Sequence, residues 1–221
     1  MAGPTLDAAA SLLGVHLVRS VATDGGGLRI GRIVEVEAYL GPEDRASHAR
    51  AGPTTRTAPM FGPPGAAYVY LVYGMYHCLN VVTEAAGRAG AVLIRAIEPI
   101  EGIAAMRAAL AGHGAARRRA PQPGRQRRSV PNHRLTAGPG LVAAALSVDR
   151  GLTGLDLCDP ASPLRLELPH GDIRPVRAVA GPRIGIAHAG EPWTALPYRL
   201  VDASSPSLSR RAPWPADAEA G

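Results

Sequence analysis

The segment RIVEVEAYL carries groups capable of acid–base chemistry at alternate positions. Successive side chains of a strand point to opposite faces, so Glu35, Glu37 and Tyr39 would share one face, preceded on it by Ile33. The core-facing side would consist of four apolar residues: Val34, Val36, Ala38 and Leu40. Two carboxylates on one face of a strand are costly to bury unless that face borders a solvated cleft or contacts cationic partners. The strand therefore belongs either to a catalytic cleft or to an exposed face with ordinary surface acids.

A single arginine, Arg95, interrupts the apolar run AVLIRAIEP. An unpaired guanidinium within an apolar strand would be strongly destabilising, so we expect a carboxylate beside it. Glu35 and Glu37 are the natural candidates for that partner. The run alone leaves open whether the ion pair is structural or functional.

Four of the six tyrosines fall within nine residues of the segment AAYVYLVYGMYHCLNVV. Gly74 interrupts the alternation and predicts a hairpin with Tyr73 and Met75 near its tip, and Tyr68 and Tyr70 share a face of the incoming strand. A large side chain at such a tip can kink DNA or fill the gap left by an extruded base. The alternative is a tyrosine-rich sheet edge packed on a neighbouring element.

The remaining polar residues are less informative. His48 and His188 lie in small-residue, loop-like stretches, where histidine more often bonds locally than catalyses. Cys78 and Cys158 lack the spacing of a metal site or redox pair, and we expect buried free thiols. The chain has no phosphate-binding loop, HExxH, GxSxG or dinucleotide fingerprint, so nucleotide hydrolysis, zinc proteolysis and serine hydrolysis lose support. We expect no metal or organic cofactor.

The positive charge of the chain comes entirely from arginine. The net charge is +6, the pI is about 10.0, and none of the 24 basic residues is lysine. This charge favours a polyanionic partner, either nucleic acid or an acidic membrane surface. Without lysine, no side-chain amine can form a Schiff base. No apolar run is long enough to span a bilayer and the N-terminus lacks a signal-peptide pattern, so we expect a soluble, intracellular protein.

These residues must be positioned by a single mixed α/β (α+β) domain. We predict a curved, mostly antiparallel, open-barrel-like sheet with peripheral helices and a protruding β-hairpin. The domain would span residues 1–208, with a helix at Ile103–Leu110. The Arg-rich, low-complexity segment around 111–134 is expected to be a mobile loop. We expect fraying from Ser204 onward and a disordered tail at 209–221.

Four segments together resemble the alkyladenine (3-methyladenine) DNA glycosylase family: GRIVEVEAYLGPEDRASHAR, MFGPPGAAYVYLVYGMYHCLNVV, VLIRAIEPIEG and RIGIAHAGE. They occur in order and cover roughly Leu12 to Leu208. The resemblance implies base-excision repair, in which an alkylated or deaminated purine is flipped out of duplex DNA and its N-glycosidic bond is hydrolysed. The implied partner is double-stranded DNA containing damaged purines, without a membrane. The implied protein is an intracellular, DNA-associated monomer, in the cytoplasm or nucleoid of a bacterium.

The resemblance also implies the reacting groups. Glu37 takes the place of the general base that deprotonates the nucleophilic water, and Arg95 helps to orient that water. The main chain near Ile186 would complete its cradle. Bond cleavage builds oxocarbenium character on the sugar, so a nearby carboxylate both stabilises that charge and activates water. The lack of lysine fits a water nucleophile and predicts an intact abasic strand without lyase activity, with the N-terminal amine left as the other amine able to form a Schiff base.

The base pocket follows from the same resemblance. Tyr39 and His48 match one wall of the pocket that holds the flipped base, and Tyr70 matches the opposite wall. Tyr73 is similar to the residue that intercalates into the gap. Asn80 is similar to the residue that discriminates against the amino group of normal guanine. Alkylation makes a base cationic, which favours stacking on electron-rich tyrosine faces.

Two features depart from the family pattern. Leu141 follows the GPG turn where the family commonly has a basic residue, and the 111–134 segment is longer than expected. That segment either adds non-specific phosphate attraction or is only a solvated loop. Two other functions stay open: a non-catalytic minor-groove module that binds and kinks DNA, with Glu37 incidental, and, by fold analogy, an RNA-binding or transferase-appended domain.

Overall fold

The computed structural model describes residues 4–21, 27–72, 74–115, 130–170 and 174–210. Within these ranges lie three α-helices: α1 (Pro4–Leu12), α2 (Ile103–Ala115) and α3 (Pro139–Ala145). The same ranges contain eight strands: β1 (His16–Val21), β2 (Gly27–Tyr39), β3 (Ala67–Val72), β4 (Tyr76–Val82), β5 (Ala91–Glu101), β6 (Leu164–Glu167), β7 (Ala178–Gly181) and β8 (Arg199–Asp202). Short 3-10 helices lie in the connections, at His48–Ala51, Ala58–Phe61, Asn132–Arg134, Arg150–Leu152 and Ala187–Ala189.

Strand β2 organises the sheet. It pairs with β5 along one edge, and along the other edge it pairs first with β1 and then, from Glu35 to Glu37, with β8. The strand order is β3-β4-β5-β2-β1-β6, β7 pairs with β8, and every pairing is antiparallel. Because β2 has two successive neighbours on one edge, the sheet branches there, and it curls into a half-barrel. The prediction of an α+β domain with a curved antiparallel sheet is confirmed.

The main hydrophobic core joins the sheet to helices α1 and α3. Strand β2 contributes Ile33, Val36 and Ala38, while α1 contributes Ala9 and α3 contributes Val142, all without solvent exposure. Full burial of a Val or Ile side chain stabilises a fold by about 1.5–3 kcal/mol. This packing holds β2 rigidly from behind, so its opposite side can carry polar groups in fixed positions.

Strand β2 does not keep the alternation predicted at its middle. Ile33 lies in the main core, and Val34 lies in a separate cluster with Val201. The pairing of β2 with β5 shifts register between Ile33 and Glu35, and again between Glu35 and Val36. A bulge sets two residues against one on the partner strand, which turns the side chains before it to the other face. The predicted faces are therefore wrong at Ile33 and Val34 and correct beyond the bulge.

Strands β3 and β4 form the predicted tyrosine-rich hairpin. Val72 pairs with Tyr76, and Gly74 in the turn has a φ of +66°, a conformation that favours glycine. The start of α3 packs against this hairpin, because a Cβ added to Gly140 would lie 2.8 Å from Cδ1 of Tyr76. Tyr73 lies outside the described residues.

Part of the Arg-rich connection between α2 and α3 forms regular secondary structure. Helix α2, predicted to end at Leu110, continues to Ala115, and Asn132–Arg134 forms a 3-10 helix. The loop predicted around 111–134 is thus replaced by helix at both of its ends, and residues 116–129 lie outside the described part of the chain. None of the described helices is both long and apolar enough to cross a membrane.

The serine-rich segment after β8 is packed, so the predicted fraying from Ser204 is wrong. Ser205 and Ser207 are buried, and the Ser209 amide donates a hydrogen bond to Glu35 at 2.6 Å. The segment is held because its hydroxyl and amide groups satisfy a buried carboxylate. Residues 211–221 of the predicted tail lie outside the description. Of the two free cysteines, Cys78 is buried as expected, whereas Cys158 is exposed.

Candidate active site

A pocket of about 510 Å³ opens beside the end of β2. Strands β3, β4 and β5 form much of its wall, and the loop after β2 and the loop before β8 complete it. Its lining includes Tyr39, His48, Arg56, Tyr68, Tyr70, Cys78, Asn80, Arg95, Ile184, Ile186 and His188. Of the predicted site residues, the structure thus brings Tyr39, His48, Tyr70, Asn80, Arg95 and Ile186 to one cavity.

The Glu37 carboxylate lies directly behind the pocket wall. It has no solvent exposure and is not itself part of the lining, but three lining residues contact it. The Tyr39 hydroxyl donates to Oε2 at 2.8 Å, and the Ile184 amide donates to Oε1 at 2.7 Å. Arg95 places a guanidinium nitrogen 3.3 Å from Oε2. The carboxylate is therefore bound by three groups that line the cavity.

Burial decides the proton affinity of this carboxyl. It raises the pKa of Glu37 above its ordinary value, against the opposing effects of Arg95, the Ile184 amide and the Tyr39 hydroxyl. Burial and the charge of Glu37 raise the pKa of Tyr39 well above its usual range, so that hydroxyl stays protonated and donates. A carboxylate of raised pKa is a stronger base than an exposed glutamate.

Arg95 joins the two acids of β2, as its position in an apolar strand predicts. Its Nε donates to Glu35 at 3.0 Å, while another nitrogen faces Glu37. Glu35 also accepts from Arg199 at 3.1 Å and from the amide and hydroxyl of Ser209 at 2.6 and 2.7 Å. Burial alone would lower the pKa of Arg95, but the two carboxylates outweigh it and raise the pKa. The guanidinium therefore stays charged.

The aromatic wall is assembled by contacts among His48, Tyr68 and Tyr70. His48 packs edge-on against Tyr70 with centroids 4.5 Å apart, and the rings of Tyr68 and Tyr70 are 5.5 Å apart. Nδ1 of His48 lies 3.2 Å from the Tyr68 hydroxyl. Burial, followed by the charge of Arg56, lowers the pKa of His48 to about 4, so its imidazole is uncharged at neutral pH. His48, expected on the Tyr39 side of the pocket, thus contacts Tyr70.

A buried ion pair fixes the loop that carries His48. Arg183 and Asp44 have fully buried side chains and form two hydrogen bonds, of 2.5 and 2.9 Å. Arg183 also donates to the Ala38 carbonyl at 2.9 Å and sets its guanidinium carbon 4.9 Å from the centre of the Tyr39 ring. This pair therefore ties the end of β2, the following loop and the chain before Ile184 together.

Asn80 and Ile186 lie in the lining with different surroundings. The buried Asn80 amide group donates to the Tyr68 carbonyl at 3.0 Å, which fixes its orientation. The Ile186 side chain packs with Ala46 and Ala189 in a small separate cluster. The part of the main chain near Ile186 in the cradle of the water stays a prediction, while the main-chain amide that binds Glu37 belongs to Ile184, two residues earlier.

The comparisons with known proteins cover almost the whole chain. The family model for methylpurine-DNA glycosylase matches residues 1–206. A relative from Methanocella arvoryzae that carries the name 3-methyladenine DNA glycosylase is 44% identical over 211 residues, which are 95% of this chain and 93% of the relative. DNA-3-methyladenine glycosylase of Mus musculus is 43% identical over 210 residues, which are 93% of this chain and 58% of the mouse protein.

The chain belongs to the methylpurine-DNA glycosylase family. The predicted resemblance is thereby confirmed, and so is the prediction of a DNA repair enzyme of the glycosylase class. A relative from Myxococcus xanthus, with the same name as the one from Methanocella arvoryzae, is 43% identical over 213 residues, 96% of this chain and 92% of the relative. Membership disfavours the non-catalytic DNA-binding module as the function of the chain.

Sequence reasoning missed three groups that shape the site of this glycosylase. They are the Ile184 amide, the Arg183–Asp44 pair and the Ser209 contacts with Glu35. Arg183 opens the segment RIGIAHAGE, but its carboxylate partner Asp44 lies 139 residues away in the chain, so the sequence does not show the pair. Among the residues that the structure describes, no group of three His, Cys, Asp or Glu side chains could hold a metal ion.

Proposed function

We propose that this glycosylase takes an alkylated or deaminated purine, extruded from duplex DNA, into the pocket and hydrolyses its N-glycosidic bond with a water activated by Glu37. The observation that carries the proposal is the position of Glu37: its carboxylate contacts Tyr39, Arg95 and the Ile184 amide, all of which line the pocket. The relatives named 3-methyladenine DNA glycosylase support a methylated purine as one substrate.

The two oxygens of Glu37 differ in their capacity to accept a further hydrogen bond. Among the described residues, Oε2 faces both the Tyr39 hydroxyl and Arg95, whereas Oε1 accepts only from the Ile184 amide. A carboxylate oxygen has two lone-pair sites, so Oε1 keeps room for one more donor. We expect the nucleophilic water to bind Oε1 beside the main chain of residues 184–186, after a small shift opens the wall.

The reaction follows from this placement. The bond between the sugar C1′ and the purine N9 breaks, and its electron pair leaves with the base. The sugar becomes oxocarbenium-like, and the negative charge of Glu37 stabilises it. The water oxygen then bonds to C1′ while its proton passes to Glu37, which the raised pKa makes a competent base. The products are a free purine and an abasic site in an intact strand.

Extrusion of the base is assigned to the hairpin. Tyr73 in its turn lies outside the described residues, and its role as the intercalating residue stays a prediction from sequence. The neighbouring side chains Met75 and Tyr76 are 49% and 39% exposed, so they are accessible to unstacked bases. The net charge of +6 favours the phosphate backbone. We expect the enzyme to act as a monomer on duplex DNA, and therefore in an intracellular, DNA-associated location.

The central test compares Glu37→Gln with the wild-type enzyme on duplexes that contain one hypoxanthine or one ethenoadenine. We expect release of free base to fall by about 10²- to 10⁴-fold, the usual contribution of a general base. Lesion-DNA binding should persist, because the amide preserves the side-chain shape. Glu43→Gln is the matched control, since Glu43 is an exposed acid of the adjoining loop and should release base at the wild-type rate. Equal release by wild type and Glu37→Gln contradicts the assignment.

A second test addresses the absence of lyase activity. The chain contains no lysine, so a side-chain Schiff base with the abasic sugar cannot form. We expect the purified enzyme to leave the strand uncut until alkali is added, and borohydride should trap no covalent adduct. A nicked strand accompanied by a trapped adduct would show that the enzyme also acts as a lyase.

A further inference from the structure

Arg56 is a pocket residue that the catalytic scheme leaves without a role. It lies between the 3-10 helices His48–Ala51 and Ala58–Phe61, and it contributes to the lining. Its guanidinium carbon is 5.7 Å from the centre of the Tyr70 ring, within the range of a cation–π interaction. One of its nitrogens is 3.4 Å from Nε2 of His48. The guanidinium is thus held at the aromatic wall that we assign to the flipped base.

The charge of Arg56 is not balanced inside the pocket. The other lining guanidinium, Arg95, is paired with two carboxylates. Raised pKa values keep Tyr39 and Tyr70 protonated, and His48 is neutral at pH 7. Across the described ranges, no carboxylate lies within ion-pair distance of Arg56. The aromatic wall therefore carries an excess positive charge at Arg56, although the exposure of this side chain weakens it.

This excess charge has opposite consequences for the two classes of damaged purine. A base alkylated at a ring nitrogen is cationic while it is still attached to the sugar, and it leaves as a neutral molecule. Hypoxanthine and ethenoadenine are neutral when attached, and each leaves with the electron pair of the broken bond and so gains negative charge. A fixed cation repels the first class on entry and stabilises the second class as its bond breaks.

We propose, as an extension of the proposed function, that Arg56 is a specificity-determining residue that favours excision of neutral purine lesions over cationic ones. Its N–H groups donate to an acceptor on the purine ring or its carbonyl oxygen, where negative charge develops as the C1′–N9 bond breaks. The electron pair stays on the purine, the water oxygen bonds to C1′, and the water proton goes to Glu37. Solvent then protonates the released purine anion, so Arg56 itself neither gains nor loses a proton.

The experiment measures single-turnover excision of hypoxanthine and of 7-methylguanine from otherwise identical duplexes, at about pH 8, where an ordinary imidazole is uncharged. Single-turnover rates at saturating enzyme exclude product release and bulk DNA affinity. In Arg56→Gln we expect hypoxanthine release to fall roughly tenfold, the usual effect of losing one hydrogen bond from a charged donor. Release of 7-methylguanine should be unchanged or rise by up to about fivefold, as expected for removing a partly exposed like charge.

Two further variants separate charge from other causes. Arg56→Lys retains the cation, so its ratio of hypoxanthine to 7-methylguanine rates should lie between those of wild type and Arg56→Gln. Arg50→Gln removes an exposed arginine from the preceding 3-10 helix that does not line the pocket, so it should keep the wild-type ratio. Retained 7-methylguanine excision also shows that each variant is folded.

The outcomes are distinguishable. A fall confined to the neutral lesion supports the specificity role of Arg56. An unchanged ratio, or an equal loss on both lesions, overturns it and identifies Arg56 as a general DNA contact, while the proposed function stands. A ratio for Arg56→Lys no higher than that for Arg56→Gln overturns charge as the cause. If the wild-type enzyme releases neither base, the proposed function is wrong, and the role proposed for Arg56 is wrong with it.

Discussion

Glu35 and Glu37 are buried acids two residues apart on strand β2, and their carboxylates are bound by different sets of donors. Both side chains have no solvent exposure and both face Arg95. Glu35 is surrounded by donors, from Arg95, Arg199 and two atoms of Ser209. Glu37 accepts from a phenol and one amide and shares only the same arginine. A carboxylate held by two guanidinium groups and a serine holds structure together, whereas one bound by the groups that line a cavity can accept a proton there.

The largest expected effect is a difference in excision rate between variants of the two acids. Glu37→Gln should lower the excision rate about 10²- to 10⁴-fold, and Glu35→Gln should lower it far less, because it removes no group that contacts water. Single-turnover release of hypoxanthine, measured for variants shown by circular dichroism to be folded, checks this difference. Comparable losses in both variants would mean that the two acids act as one catalytic unit.

The second effect is a difference in the free energy of unfolding between the same two variants. Glu35→Gln leaves Arg95 and Arg199 buried without their shared carboxylate charge, and breaking a buried ion pair costs about 3–5 kcal/mol of unfolding free energy. Glu37→Gln should cost less, because it removes a carboxylate that burial already disfavours. Urea denaturation of both variants gives the two values. A greater loss at Glu37 would reverse the assignment of roles.

A smaller effect is expected at Ser209, whose hydroxyl donates to Glu35 at 2.7 Å and accepts from Arg95 at 3.3 Å. Ser209→Ala removes the hydroxyl donor to Glu35 but keeps the amide, so the free energy of unfolding should fall by about 1 kcal/mol. The excision rate should be nearly unchanged. The neighbouring Ser204→Ala is a matched control, since Ser204 donates to Asp202 instead. A strong loss of excision in Ser209→Ala would connect the serine-rich segment directly to catalysis.

The smallest effect is a displacement of the pH profile. Because a general base must be unprotonated, excision should rise with pH through the pKa of Glu37, with a midpoint above 4.5. In Glu35→Gln the midpoint should move to lower pH, since a neighbouring like charge is lost and Arg95 is left to Glu37 alone. Rate profiles for wild type and this variant test it. A midpoint that stays in place would show that the two carboxyl groups do not interact.

The same carboxyl has a stability consequence of known sign. A folded-state pKa above the unfolded value means that the folded protein binds the proton more tightly, so Glu37 favours the folded state most at pH below 4.5. That contribution is lost as pH rises through the raised folded pKa. Subtracting the unfolding free energy of Glu37→Gln from that of wild type across this window isolates it, and a difference that grows with pH contradicts the sign.

Local sequence patterns predicted a large part of this arrangement. The alternation in VEVEAY set two acids and a tyrosine on one face, Gly74 set the hairpin turn, and Arg95 in an apolar strand required a carboxylate. The failures at Ile33 and Val34 came from a bulge, because an inserted residue leaves no mark in a run of hydrophobic residues. Local patterns succeed where neighbours along the chain decide the conformation.

The contacts that distinguish the two acids come from far away in the sequence. Ile184 lies 147 residues from Glu37, and Ser209 lies 174 residues from Glu35. Backbone amides carry no signal of their own in sequence, and a serine-rich segment resembles a frayed tail until a buried carboxylate accepts its donors. For this reason, the Ser204–Ser209 segment was the clearest error of the sequence interpretation.

The sequence by itself determined the chemical inventory of this glycosylase: two acids at alternate positions, one arginine to pair with them, a cluster of tyrosines and no lysine amine. Only the tertiary structure decided which acid is held by two arginines and a serine and which is bound by groups that line the pocket. The physical reason is that proton affinity depends on burial and on nearby donors. Those donors reach Glu35 and Glu37 from β5, β8 and the loops around them, and only folding brings these together.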